Sequence, residues 1–102
     1  MSYVKIWLHC VWSTKNRTCI IPNSFRPSLL KHFRDNANEK NIFLDYINAH
    51  ENHVHALINL GKQQNVATVM QYLKGESSFW INNQDILPTD FSWQDDYWAL
   101  SG

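Results

Sequence analysis

The segment HENHVHALINL, residues 50–60, carries three histidines: His50, His53 and His55. His53 and His55 are separated by one residue at the head of an alternating apolar run. Side chains alternate across a strand, so these two imidazoles share one face. Their Cα atoms lie about 6.5–7 Å apart, two residue rises. At that spacing two imidazoles can bite one metal ion while Val54, Ala56, Ile58 and Leu60 pack on the opposite face. The same pattern also suits two solvated histidines, and His32 and His50 read as ordinary surface residues.

A second set of groups suits phosphate. Lys15, Asn16 and Arg17 follow the first alternating stretch, and Lys74, Ser77 and Ser78 fall in a helical one. Basic and hydroxyl side chains of this kind position nucleic acid through its backbone without reading sequence. A solvated loop and helix surface would look the same. Nine basic against nine acidic residues give a formal net charge of zero. That argues against a tight non-specific polyanion binder, but a local basic patch can still suffice.

These groups must be positioned by one domain, since the chain has 102 residues. Residues 3–13, YVKIWLHCVWS, alternate with period two and read as a strand. Its apolar set (Val4, Ile6, Leu8, Cys10, Trp12) faces a core; Trp7 and His9 share the histidine face. From Phe25 to about Lys40, Leu29, Leu30, Phe33 and Ala37 recur at helical spacing, with Ser24 as N-cap and Pro27 in the first turn. Residues 41–50 and 53–60 read as strands, and residues 65–82 as a helix locally weakened by Gly75. Residues 91–101 read as an edge or bulged strand because of Asp95 and Asp96. The order β-α-β-β-α-β predicts an α+β, ferredoxin-like fold, with a four-stranded antiparallel sheet and both helices on one face. The histidines then belong on the open face. The first and third strands are central neighbours in that topology, so His9 can approach the pair.

Cys10 and Cys19 are too few for a disulfide scaffold. No signal peptide opens the chain and no apolar run is long enough to span a bilayer. The expectation is a soluble cytoplasmic protein, with no membrane partner and Cys10 buried.

Four segments in order, YVKIWLHCVWSTKNR, HENHVHALINL, VMQYLKGESSFWIN and FSWQDDYWALS, resemble the small single-tyrosine transposases of the HUH class. These are the short insertion-sequence transposases and the REP-associated tyrosine transposases, and the likeness covers nearly the whole chain. It implies a ferredoxin-like homodimer acting in DNA transposition, cleaving and rejoining single-stranded DNA that folds into hairpins. It also implies one divalent cation, Mg²⁺ or Mn²⁺, held by His53 and His55, with Lys15, Arg17, Lys74, Ser77 and Ser78 as DNA contacts. In that family the nucleophilic tyrosine and a polar metal ligand lie on a helix past the last strand, where this sequence stops at WALSG. Tyr3, Tyr46, Tyr72 and Tyr97 do not match it, so no catalytic tyrosine is assigned. The expectation is a single domain lacking the nucleophile helix, inactive in cleavage and prone to self-association. Two alternatives stand beside it. One is a non-catalytic single-stranded nucleic-acid-binding module that stacks bases on Tyr3 and Trp7. The other is a fragment that dimerises with, and poisons, a full-length transposase.

Overall fold

The computed structural model describes residues 6–17, 21–61, 63–87 and 89–101. Six elements carry the fold: β1 (Ile6–Ser13), α1 (Arg26–Glu39), β2 (Phe43–Ala49), β3 (His53–Leu60), α2 (Val66–Asn83) and β4 (Trp98–Ser101). The strands form one antiparallel sheet in the order β2-β3-β1-β4. This is the expected ferredoxin-like topology, with β1 and β3 central.

Alternation decides what is buried. Along β3, Val54, Ala56, Ile58 and Leu60 are buried while His53, His55, Leu57 and Asn59 are only partly covered. Cys10 and Trp12 continue that buried face on β1. Leu29, Phe33 and Ala37 from α1 and Val69, Met70, Leu73 and Ile81 from α2 close over it. Each fully covered large apolar side chain contributes about 1.5–3 kcal/mol. Burial pushes the Cys10 thiol up to about 11, so it is a protonated core group at neutral pH.

A bulge between Leu44 and Tyr46 shifts the β2–β3 register. Phe43 therefore opposes Asn59 and Tyr46 opposes Leu57, and both rings fall on the open face. Helix α2 is capped by Asn65, whose side chain accepts from the amides of Ala67 (2.8 Å) and Thr68 (3.3 Å). It runs through Gly75 without a break.

Two local expectations change. Ser24 does not cap α1; residues Asn23–Phe25 form a 3₁₀ turn, and Phe25 is the N-cap residue with no side-chain bond. The entry is fixed instead by Arg26, which donates to the Ile21 carbonyl and to Asn23 Oδ1. Residues 91–97 are mostly a strap rather than strand, with one bridge between Thr14 and Trp93. β4 is confined to four residues.

His32 is not an ordinary surface residue. Its ring lies flat on Trp80 of α2, with centroids 4.3 Å apart and planes within 9°. Asn36 donates to the His32 carbonyl (2.9 Å) and accepts from the Tyr72 hydroxyl (3.1 Å), knitting the helices together. Burial lowers the His32 pKa, against opposing interactions with Glu76 and Asp35. A folded value below the unfolded one (about 6.5) means the neutral ring's contribution is complete above that unfolded value. It is lost as pH falls through the depressed folded value. Urea unfolding is expected to show lower stability at pH 5 than at pH 7, with a smaller difference in His32→Phe. Equal pH differences in the two proteins would contradict this.

Candidate metal centre and nucleic-acid interface

The antiparallel register of β1 and β3 builds the site. Ser13 opposes His53, Val11 opposes His55 and His9 opposes Leu57. His9 and His55 are thus diagonal neighbours across the two central strands, within reach of long side chains. His9 Nδ1 lies 3.4 Å from His55 Nε2, with ring centroids 5.6 Å apart and planes at 29°. Tyr46 meets the His55 ring edge-on at 5.9 Å. Asn48 opposes His55 from β2 and Trp98 opposes Val11 from β4.

His53 shares this face but its ring is engaged elsewhere. It stacks on His50, with centroids 4.4 Å apart and planes at 15°, and its Nδ1 lies 3.1 Å from Asn52 Oδ1. The face therefore carries two histidine pairs, His9 with His55 and His50 with His53. Among the described residues no group of three or more His, Cys, Asp or Glu side chains converges on one point. The donors that are present are imidazole nitrogens. They suit a first-row transition ion better than Mg²⁺, which demands an oxygen cage. The residues fit a divalent ion held by two imidazoles, with solvent or phosphate oxygens completing its shell.

The phosphate-binding candidates fall in two places. Lys15–Arg17 form a 3₁₀ turn directly after β1, with Asn16 at φ 55° in the left-handed region that Asn tolerates. The Thr14 amide donates to Asn52 O (2.9 Å) and the Ile21 amide to Glu51 O. The turn holding Glu51 and Asn52 leads into His53, so Lys15 and the backbone of Arg17 start beside the histidine end of the sheet. The side chain of Arg17 lies outside the described groups, as do Tyr3 and Cys19.

Lys74, Ser77 and Ser78 sit on α2, and the first two hold the strap. Lys74 Nζ donates to the carbonyls of Gln94 (2.6 Å), Asp95 (2.8 Å) and Asp96 (3.4 Å), and stands 5.8 Å from the Tyr97 ring centroid. Burial lowers its pKa, opposed by the charges of Asp95 and Asp96. Ser77 is fully buried; its hydroxyl donates to Leu73 O (2.7 Å) and accepts from Trp93 Nε1 (2.8 Å). The spacing Met70, Leu73, Ser77, Ile81 is the buried stripe of α2, a signal in the sequence that places Ser77 inward. Ser78 donates to Gly75 O and lines an open cleft of about 350 Å³ with Gln71, Lys74, Gly75 and Gln94.

The open face also exposes Phe43, Tyr46, Trp98 and Leu100. Trp7, on the same face, packs edge-on against Phe43 at 6.3 Å. Of the described tyrosines, Tyr72 bonds Asn36 between the helices and Tyr97 sits under Lys74. Tyr46 alone touches the histidine cluster.

A family model described as "Transposase IS200 like" matches residues 2–102. A crystal structure described as a candidate transposase from Deinococcus radiodurans R1 is similar, with a TM-score of 0.86 at 24% identity over 98% of this chain and 82% of that one. A REP-associated tyrosine transposase bound to a REP hairpin is similar with a TM-score of 0.71 at 13% identity. That likeness covers 99% of this chain but only 59% of the other. A comparison with curated proteins found no match. Among the described residues no helix is long and apolar enough to cross a membrane.

Proposed function

Since the chain belongs to the IS200-like transposase family, we propose that it serves DNA transposition by binding single-stranded DNA hairpins beside a divalent ion at His53 and His55. One observation carries this reading. β1 ends where β3 begins, so the Lys15–Arg17 turn and the HVH strand meet at one end of an uncovered sheet face.

The chain's own groups divide the work. Lys15 and Arg17 receive phosphates as the strand passes the histidine end. Ser78 offers a hydroxyl at the cleft on the helix side. Lys74 and Ser77 act through the strap whose backbone and indole they hold. The imidazoles of His53 and His55 seat the ion, and when bound it supplies Lewis-acid polarisation of a phosphate oxygen. None of the described tyrosines is assigned as nucleophile, and the role proposed for the described residues is to bind DNA. Phe43, Trp98 and Leu100 on the open face suit contact with a second copy. A DNA-acting family member is expected in the cytoplasm.

Fluorescence anisotropy on labelled oligonucleotides tests the reading. A hairpin with a single-stranded flank is expected to bind more tightly than a blunt duplex, and more tightly still with Mn²⁺. Lys15→Ala with Arg17→Ala should weaken it about three- to thirtyfold and lower the salt slope by about two. Equal affinity for hairpin and duplex, indifferent to Mn²⁺, would reject the proposal. The exposed aromatic rings of the open face favour one other reading, a base-stacking module without metal. Binding insensitive to Mn²⁺ but lost in Trp98→Ala would select it.

A further inference from the structure

We propose that His9 is a ligand of the divalent ion, coordinating beside His55 across the β1–β3 ladder. This inference rests on the reading that an ion is seated among the histidines of the open face.

The geometry carries it. Two neighbouring nitrogen ligands about 2.1 Å from one ion are separated by about 3.0 Å at a right angle and about 3.4 Å at a tetrahedral one. His9 Nδ1 and His55 Nε2 are 3.4 Å apart. Without an ion the contact is a long hydrogen bond, one ring's N–H donating to the other's lone pair. The ring centroids are 5.6 Å apart, so the rings approach with their nitrogens leading. The two nitrogens are thus already spaced as neighbouring ligands in one coordination shell.

The scaffold keeps them there. Both residues sit on central strands, each flanked by hydrogen-bonded neighbours on both sides. Their same-face neighbours in the register are neutral: Asn48 and Val11 beside His55, Leu57 and Leu100 beside His9. No lysine or arginine among them competes with a cation. His9 is exposed, leaving room for solvent or a phosphate oxygen to join the shell. By contrast, the His53 ring faces His50 and Asn52. The pair assembled in advance is His9 with His55, and His53 lies two residues along the same face.

Mn²⁺ binding followed by EPR, with nitrogen couplings counted by electron spin echo modulation, tests the assignment. The parent chain is compared with His9→Ala, His53→Ala and His55→Ala, each checked for native circular dichroism. His9 is exposed, so its replacement leaves the core intact. His9→Ala is expected to weaken Mn²⁺ binding about 10- to 100-fold and to remove one coupled nitrogen. Parent-like affinity in His9→Ala, with loss in His53→Ala and His55→Ala, would overturn the inference and leave the proposed function standing. Weakened affinity with an unchanged nitrogen count would make His9 a positioning residue and also overturn it. Loss in His9→Ala and His55→Ala but not in His53→Ala would uphold His9 and remove His53 from the site. Failure of the parent chain to bind Mn²⁺ would overturn both.

Discussion

Replacing His53 and His55 together with alanine is expected to weaken Mn²⁺ affinity by more than about 100-fold while unfolding stability changes by less than about 1 kcal/mol. The two halves of that result have separate physical causes. Affinity falls because imidazole nitrogens are the donors this part of the open face offers, and water replaces them poorly. Stability holds because the β3 backbone keeps its pairing with β1 and β2 whatever side chain it bears. Neither ring is in the core, where Val54, Ala56 and Ile58 do the packing. The His53–His50 stack and the contacts of His55 with His9 and Tyr46 are among the ring contacts removed, all on the open face. Calorimetry of Mn²⁺ binding and of thermal unfolding on the same preparations checks both. A folded double variant with parent affinity would refute the metal assignment.

A larger effect on stability is expected from Trp93→Ala, about 3–5 kcal/mol. Trp93 is the inward anchor of residues 91–97. It packs edge-on against Trp12 (6.1 Å) and Phe91 (4.7 Å) and gives its indole N–H to Ser77. Truncation leaves a void beside Trp12, at the centre of the core. It also frees a strap otherwise held by Lys74, by the two bonds between Asn82 and the Phe91 backbone, and by Gln94 N to Ser13 O. Domains of this size hold about 5–15 kcal/mol in all, and about 4–8 °C of Tm goes with each kcal/mol. A fall of more than about 12 °C is therefore expected. Trp93→Phe should recover most of the packing and lose only the bond to Ser77, whose hydroxyl keeps Leu73 O as a partner. A fall under about 4 °C in Trp93→Ala would show that the strap is peripheral to the fold.

How far the sequence could be read follows from how local each feature is. The common face of His53 and His55 is a property of one strand, and period two was enough to find it. The element order, and with it the topology, followed from changes of period along the chain. The meeting of His9 with His55 was legible only as an approach. It depends on the register of two strands joined through α1 and β2, and nothing local fixes that offset. Tyr46 went unseen beside His55 because one bulge at residues 44–46 turns its ring over to the open face. Lys74 and Ser77 read as phosphate contacts because their partners lie about twenty residues away, on a strap whose aromatic alternation imitates a strand. The carbonyls that gather around Lys74 have no sequence signature at all.

The amides of Thr14 and Ile21 both donate to one hairpin bend, Glu51 and Asn52, while those of Lys15 and Asn16 bond Ser92 and Gln94 of the strap. Closing a loop costs only about 0.6 kcal/mol more for each doubling of its length. Foreign residues spliced after Arg17, beyond the bonds of Lys15 and Asn16 to the strap, are therefore expected to leave the β1–β3 offset, and with it the imidazole spacing, undisturbed. The two amides that clasp the bend thus mark a graft point, where a longer loop can be installed without rebuilding the pairing of the central strands.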